Sequence, residues 1–349
     1  MGLKILHSAD WHLDSPFTGF SKEQRQFLKE ELKKIPETIV DICRRENCDL
    51  MLLAGDLFDG PYTKESARIL KSALAECGVP VFISPGNHDF CGPGSPWLEE
   101  TWPENVHVFT GGVESVAVPE LDCRVYGAGY RSMDCPGLLE GFRAEGEETY
   151  QLGVFHGDAV QPNSPYCPIT ASQVRDSGLD YLALGHIHRS GSLRSGDTLC
   201  GWSGSPMGRG YDETGEKSLY ILELGDKREL KRIPLDTICF WEVTVDCDAE
   251  KLEDLLPAAG SRDFYRVTLT GQGEFAEDRL LEKFPNLEIR DRREAELDIW
   301  SGMEADTLEG TYFRMLKTAL DGADEETACQ IQLAAEISRK ILEGREVAL

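Results

Sequence analysis

The chain reads as an α/β protein built on a parallel sheet, and three features predict this. Short apolar runs occur at Leu3 to Ala9, Leu50 to Ala54 and Val79 to Ile83, stretches of helical period separate them, and polar residues with ligand chemistry stand where each run stops. Strands covered on both faces lose the in-out alternation of a half-exposed sheet. A β-α-β-α-β order also favours parallel pairing with helices on the faces.

In chain order, Ser21 is expected to cap a helix whose apolar face includes Phe27, Leu28, Leu32, Ile35, Ile39 and Val40, with Pro36 kinking or splitting it. A second helix is expected over Thr63 to Glu76, and residues 90–105, rich in glycine and proline, should form a surface loop. Val106 to Phe109, Ser115 to Val118, Cys123 to Tyr126 and Gln151 to Phe155 read as shorter strands, Thr170 to Ser177 as a short helix, and Leu179 to Leu184 as a further strand. Leu199 to Trp202, Lys217 to Leu224 and Glu229 to Pro234 read as closing antiparallel strands.

Pro234 to Thr237 marks a boundary, which gives two domains, 1–236 and 237–349. The second restarts as an α+β pattern. Strands are expected at Cys239 to Val245, Tyr265 to Thr270 and Leu287 to Asp291, with helices at Ala249 to Leu256 and Glu277 to Phe284. Two terminal helices follow, one carrying Leu308, Tyr312, Met315, Leu316 and Leu320, the other Ile331, Ala334, Ile337 and Ile341; such stripes are more often core than partner surface.

Composition narrows the function classes. Eleven cysteines, an odd number without a C-x-x-C pair, read as buried thiols in a reducing compartment and argue against a thiolate zinc site. There is no apolar run of membrane-spanning length, and the N-terminus runs directly into a polar motif, so a cytoplasmic protein with no membrane contact is expected. The net charge of −26 opposes any polyanion ligand. Half of that charge lies in the last third, and screening over ~8 Å together with bound divalent metals would limit the opposition near a site.

Five of the seven histidines fall in five short stretches that follow apolar runs: Asp10-Trp11-His12, Asp56-Leu57-Phe58-Asp59, Asn87-His88-Asp89, His156-Gly157-Asp158 and His186-Ile187-His188. Ligands at the C-terminal ends of parallel strands converge on one crevice. The set Asp10, His12, Asp56, Asn87, His156, His186 and His188 is oxygen and imidazole without sulfur. That suits manganese, iron or zinc, and seven such residues suggest two metals rather than one. His7 lies inside its strand and is expected to be a packed core residue, and His107 an edge-strand residue.

These motifs, Asp10-x-His12, Gly55-Asp56-x-x-Asp59, Gly86-Asn87-His88-Asp89, His156-Gly157 and Gly185-His186-x-His188, resemble the calcineurin-like metallophosphoesterase superfamily over residues 1–190. With Gly201-Trp202-Ser203-Gly204-Ser205-Pro206, they resemble its SbcD-type DNA repair exonuclease branch in particular. The resemblance implies a four-layer sandwich of two mixed β-sheets flanked by helices, with a C-terminal α+β capping domain. It implies two divalent metal ions, manganese foremost, with Asp10, His12 and His188 holding the first, Asn87, His156 and His186 the second, and Asp56 bridging. His88 would be the catalytic histidine, with Asp89 fixing its ring, while Asp59 braces its own turn. Arg189 and Arg209 are candidate substrate contacts, and Asp14 is expected to cap a turn. The implied partners are duplex DNA ends, a second copy of the chain and an SbcC-type ATPase. The rival reading is a phosphodiesterase or phosphatase acting on a small molecule or a protein, although Gly60 stands where the protein phosphatases place an arginine.

Overall fold

In the computed structural model, residues 2–248, 262–272, 284, 286–293 and 297–344 are described. The helices expected at 249–256 and 277–284 lie outside those residues, apart from Phe284. Among the described residues the chain divides into two compact units. One comprises Met1–Glu242, Gly260–Tyr265 and Phe284–Asn286, the other Val243–Ala259, Arg266–Lys283 and Leu287–Leu349.

The first unit holds two six-stranded sheets. In one, β1 (Leu3–Ser8), β2 (Leu50–Leu53), β3 (Val81–Ile83) and β4 (Val106–Val108) run parallel. This sheet is closed on the other side by antiparallel β11 (Ser218–Leu224) and β12 (Arg228–Pro234), giving the order β12-β11-β1-β2-β3-β4. The other sheet has the order β5-β6-β7-β8-β10-β9, formed by β5 (Glu114–Val118), β6 (Cys123–Gly127), β7 (Tyr150–His156), β8 (Tyr181–Gly185), β9 (Gly191–Ser195) and β10 (Thr198–Trp202). Here β10 pairs with β8 in parallel rather than closing the sheet antiparallel, and β9, which the sequence pattern did not mark, forms the edge.

The period-2 geometry of strands explains why these apolar runs need both faces covered. Leu50 and Leu52 of β2 point toward the other sheet, where they join Leu152 and Val154 of β7 and Tyr181 and Ala183 of β8. Met51 and Leu53 point the other way, against α1 (Lys22–Leu32), α2 (Ile35–Arg45) and α3 (Lys64–Glu76). On the second sheet Phe155, Leu182 and Leu184 face outward onto α5 (Ala171–Asp176) and the adjoining loops. The result is four layers, two mixed sheets flanked by helical segments.

Local signals set the helix ends. Ser21 and Gln24 form a capping box, Pro36 opens α2 and so splits the expected long helix, and the 90–105 loop contains one turn of helix, α4 (Pro96–Glu99). Asp14 caps a helix start rather than a turn: its carboxylate accepts from Thr63 N at 2.9 Å, Thr63 Oγ1 at 3.0 Å and Ser66 Oγ, which anchors α3.

Three strands, β13 (Phe240–Asp246), β14 (Phe264–Thr270) and β15 (Leu287–Asp291), form a small sheet in that order. In the second unit, α6 (Leu308–Asp321) and α7 (Glu325–Leu342) depart from expectation. Leu308, Tyr312, Met315 and Ile341 of the anticipated core stripes are exposed, and the contact is made instead by Phe313, Ala335 and Arg339. The Arg339 guanidinium stacks 4.0 Å over Phe313 and donates to Glu309 and to the Ile299 and Ser301 carbonyls.

His7 on β1 is a core residue, as its position predicts. Its Nδ1 accepts from the Tyr181 hydroxyl at 2.8 Å and its Nε2 donates to the Leu184 carbonyl at 3.0 Å, so one imidazole clasps β1 to β8 across the sandwich. Burial drives its pKa from 6.5 down to about 3, with the Leu184 bond opposing. The folded protein therefore keeps His7 neutral where the unfolded chain takes up a proton. The stability this contributes is complete above pH 6.5 and falls by roughly 1.4 kcal/mol for each pH unit between 6.5 and about 3. Urea unfolding at stepped pH should show His7→Gln, which keeps an acceptor and a donor but cannot titrate, losing less stability on acidification than the parent. Parallel acid curves for the two proteins would contradict the assignment.

Candidate dimetal site

The C-terminal ends of β1, β2 and β3 in one sheet, and of β7 and β8 in the other, deliver the polar stretches to one place. The loops after β1 and β2 continue to pair beyond the strands, with Asp10 N donating to Gly55 O at 3.0 Å and His12 N to Asp56 O at 2.9 Å. From the second sheet, His186 N donates to both oxygens of Asp10, at 2.9 and 3.1 Å. Asp10, His12, Asp56 and His186 all have positive φ, between 50° and 93°. Each such residue costs on the order of 1 kcal/mol or more, and strain of this kind concentrates at functional sites. Packing leaves no slack either: a Cβ on Gly86 would lie 2.3 Å from Asp56 Oδ1 and 2.8 Å from the His156 ring.

The predicted donors form two adjoining groups. In one, Asp10, His12 and His188 bring ligand atoms within 4.8 Å of one another, and His12 Nε2 faces His188 Nε2 at 3.1 Å. In the other, His156 Nε2 lies 2.9 Å from Asn87 Oδ1 and 3.3 Å from Asp56 Oδ2, and His186 Nδ1 lies 3.3 Å from the same Asn87 oxygen. Asp56 Oδ2 is also 3.9 Å from His12 Nε2, so this carboxylate stands between the groups.

The fit of cations follows from the proton count. His156 Nδ1 lies 2.9 Å from the Ala54 carbonyl, which can only accept, so Nδ1 carries a proton, while Nε2 faces two oxygen acceptors and, against burial, the charge of Asp56 pushes the imidazole up to about 9. His188 Nδ1 likewise donates to Glu213 Oε1 at 2.8 Å, which leaves its Nε2 lone pair facing His12. His12 Nδ1 is buried without a hydrogen-bond partner. Converging lone pairs and two buried carboxylates are stable only with positive charge among them. Asp10 and Asp56 show this in opposite directions. Burial raises Asp10, against the pull of His188 and His156, whereas for Asp56 the neighbouring His156, His12 and His88 outweigh burial and hold the carboxyl low. Divalent cations suit this oxygen and imidazole set, and its two adjoining groups have room for a pair of them.

Outside the donor groups, the expected partner of His88 is corrected. Asp89 does not touch the ring. It is buried and accepts the N–H groups of Gly86 at 2.8 Å, Leu57 at 2.8 Å and Phe58 at 3.3 Å, which locks the β2 and β3 loops together. Neighbouring residues on an extended turn point opposite ways, so chain adjacency misleads here. Asp59 takes the role, pairing with His88 Nδ1 at 2.8 Å while its other oxygen accepts from Ser15 Oγ at 2.6 Å. His12, His88 and Ser15 together outweigh burial and hold the Asp59 carboxyl well below the usual carboxylate range, and the His88 imidazole is raised chiefly by Asp59.

Three supporting carboxylates thus lie outside the predicted set: Asp59, Glu213 and Asp158, whose Oδ2 is 3.8 Å from His186 Nε2. Carboxylates behind imidazole ligands fix the tautomer and the aim of the ring. Asp158 sits in one of the five stretches, but Glu213 follows no strand and only its Gly-Ser-Pro surroundings offered a cue. Arg209, expected to contact substrate, is engaged with protein partners, donating from Nε at 3.0 Å and Nη2 at 2.8 Å to Glu213 Oε1. Arg189 is exposed beside His188, on the rim of a cavity of about 780 Å³.

Several known proteins resemble this chain. It is 34% identical over 249 residues to the uncharacterized metallophosphoesterase YhaO of Bacillus subtilis, covering 64% of this chain and 57% of that protein, so it spans little more than half of that relative's length. It is 22% identical to the SbcD subunit of the SbcCD nuclease of Staphylococcus epidermidis, covering 82% of this chain and 84% of that protein, which is consistent with the SbcD-type branch. Among solved structures, a dimetal phosphatase from Danio rerio is similar over 66% of this chain and 95% of that one, with 14% identity and a TM-score of 0.45. Residues 3–190, more than half of the chain, match the model of the calcineurin-like phosphoesterases, and the protein belongs to that family.

Proposed function

We propose that this phosphoesterase is a manganese-dependent nuclease acting on DNA ends. The observation that carries the phosphodiesterase reading is the pairing of a half-exposed imidazole, His88, with Asp59 at 2.8 Å, immediately beside the two donor groups. The DNA reading is supported by similarity to the SbcD subunit of the SbcCD nuclease over most of the chain.

Bound at Asp10, His12, Asp56, Asn87, His156, His186 and His188, two divalent cations would supply Lewis acidity, lower the pKa of water and neutralise phosphoryl charge. The chain's own residues do the rest. Asp59 accepts the Nδ1 proton of His88 and favours the charged ring, so Nε2 can give its proton to the oxygen that leaves as water adds to phosphorus and the P–O bond breaks. The backbone N–H of His88 donates to Asp56 Oδ1 at 2.8 Å, which fixes the position of the ring relative to the donor groups. The 53–59 and 84–89 loops are tied by Asp89, so neither element drifts from the other.

In this reading residues 237–349 act as a capping domain. The exposed Leu308, Met315, Leu333 and Ile341 of α6 and α7 offer an apolar face to an SbcC-type ATPase, and the protein works as a dimer in the cytoplasm. Among the described residues no helix is long and apolar enough to cross a membrane.

Two outcomes are expected. Linear duplex DNA with Mn²⁺ should be cut by the parent, and His88→Asn should lose ~10²–10⁴-fold in rate while still binding metal; turnover of bis-nitrophenyl phosphate without DNA cleavage would favour a small-substrate phosphodiesterase instead. In calorimetry, the parent should take up two Mn²⁺ per chain. Asp56→Asn should weaken both sites, whereas His186→Ala should weaken one. A single site indifferent to Asp56 would contradict the shared-carboxylate assignment.

A further inference from the structure

Resting on the two-metal reading, we propose that Arg209 is a positioning residue that couples the metal-holding and proton-donating sides of the site through two carboxylates. Its Nε and Nη2 reach Glu213 Oε1 at 3.0 and 2.8 Å, and its Nη1 lies 3.6 Å from Asp59 Oδ2. Each carboxylate is one hydrogen bond from a working ring: Glu213 from His188 Nδ1 at 2.8 Å, Asp59 from His88 Nδ1 at 2.8 Å. A series of contacts therefore runs His188, Glu213, Arg209, Asp59, His88, hydrogen-bonded throughout except for the Arg209–Asp59 ion pair. At one end is a metal donor, at the other the imidazole that protonates the leaving group.

Several features single out this arginine for that role. Its side chain is 19% exposed and its nitrogens are engaged on both sides, which leaves little of it for a substrate phosphate. A planar guanidinium can span two carboxylates, which a lysine ammonium on its flexible stem cannot do with the same geometry. Arg209 Nη2 also lies 3.2 Å from His188 Nδ1, so the guanidinium packs on the edge of the ring it helps to aim. The two carboxylates keep other partners when it is gone. Glu213 retains Ser205 Oγ at 3.1 Å and Lys217 Nζ at 3.9 Å, and Asp59 retains Ser15 Oγ at 2.6 Å. Removing Arg209 should thus loosen both rings without unfolding the protein. Asp59 and Glu213 are 154 positions apart in the chain, yet a single side chain reaches both.

The test uses the full chain as Arg209→Met, Arg209→Lys, Glu213→Gln and the double variant R209M/E213Q, each checked for folding by its melting curve. Mn²⁺ affinity is measured by calorimetry, and kcat and KM on bis-nitrophenyl phosphate. Arg209→Met should weaken one of the two Mn²⁺ sites about tenfold or more and lower kcat with KM nearly unchanged, Arg209→Lys should recover part of both, and the double variant should be no worse than the poorer single. Three results would overturn the proposal: a raised KM with normal Mn²⁺ affinity and kcat, which would make Arg209 a phosphate contact; no change in any measure; or fully additive losses in the double variant. Because Mn²⁺ affinity is read without substrate, a parent that binds two Mn²⁺ but cleaves no phosphodiester would defeat the nuclease reading and leave this coupling measurable.

Discussion

Buried charge at the meeting point of two sheets is the constraint on which this molecule depends. Asp10, Asp56, His12 and His156 are buried together beside the half-buried His188, and the Ala54 carbonyl and Glu213 turn the Nε2 atoms of His156 and His188 inward. Water would solvate such groups readily and a protein interior does not. The fold keeps them there through backbone that continues to pair past the strand ends, through positive φ at four donor residues, and through a glycine at position 86 where no side chain fits. Positive charge placed among them turns an unfavourable cluster into a favourable one.

Around this centre the supporting groups form a second tier with one recurring design. His156 is aimed by a backbone carbonyl, His188 by Glu213 and His88 by Asp59. In each case an acceptor claims one ring nitrogen, so the other is free to serve the site. The His7 clasp repeats the device deeper in the core, where it joins the two sheets and does no chemistry. The same imidazole chemistry thus has a structural use inside the strand and a functional one beyond its end, and the difference is position along the strand.

That rule also explains how much of the site is legible in the amino-acid sequence. The donor residues stand out because each follows an apolar run, and parallel strands must release their C-terminal residues on one side. Helices on a parallel sheet follow from strands apolar on both faces, whereas the full four layers follow from the family resemblance. The structure exchanges the expected roles of Asp59 and Asp89 because sequence shows adjacency and not direction: Asp89 follows His88 directly but turns back into the loop, while Asp59 reaches across from the loop after β2. Glu213 was invisible for a related reason, since it acts from a loop with no periodic signal. The stripes of α6 and α7 had the right spacing for a core and lie mostly in solvent, because period reports which residues share a face and not what covers it.

The most direct measurement is anomalous diffraction from crystals grown with Mn²⁺. Two peaks per chain are expected, one bounded by Asp10, His12 and His188, the other by Asn87, His156 and His186, with Asp56 touching both. One peak, or peaks away from Asp56, would mean that the buried donors are balanced by protons alone, and the two-metal centre would have to be given up.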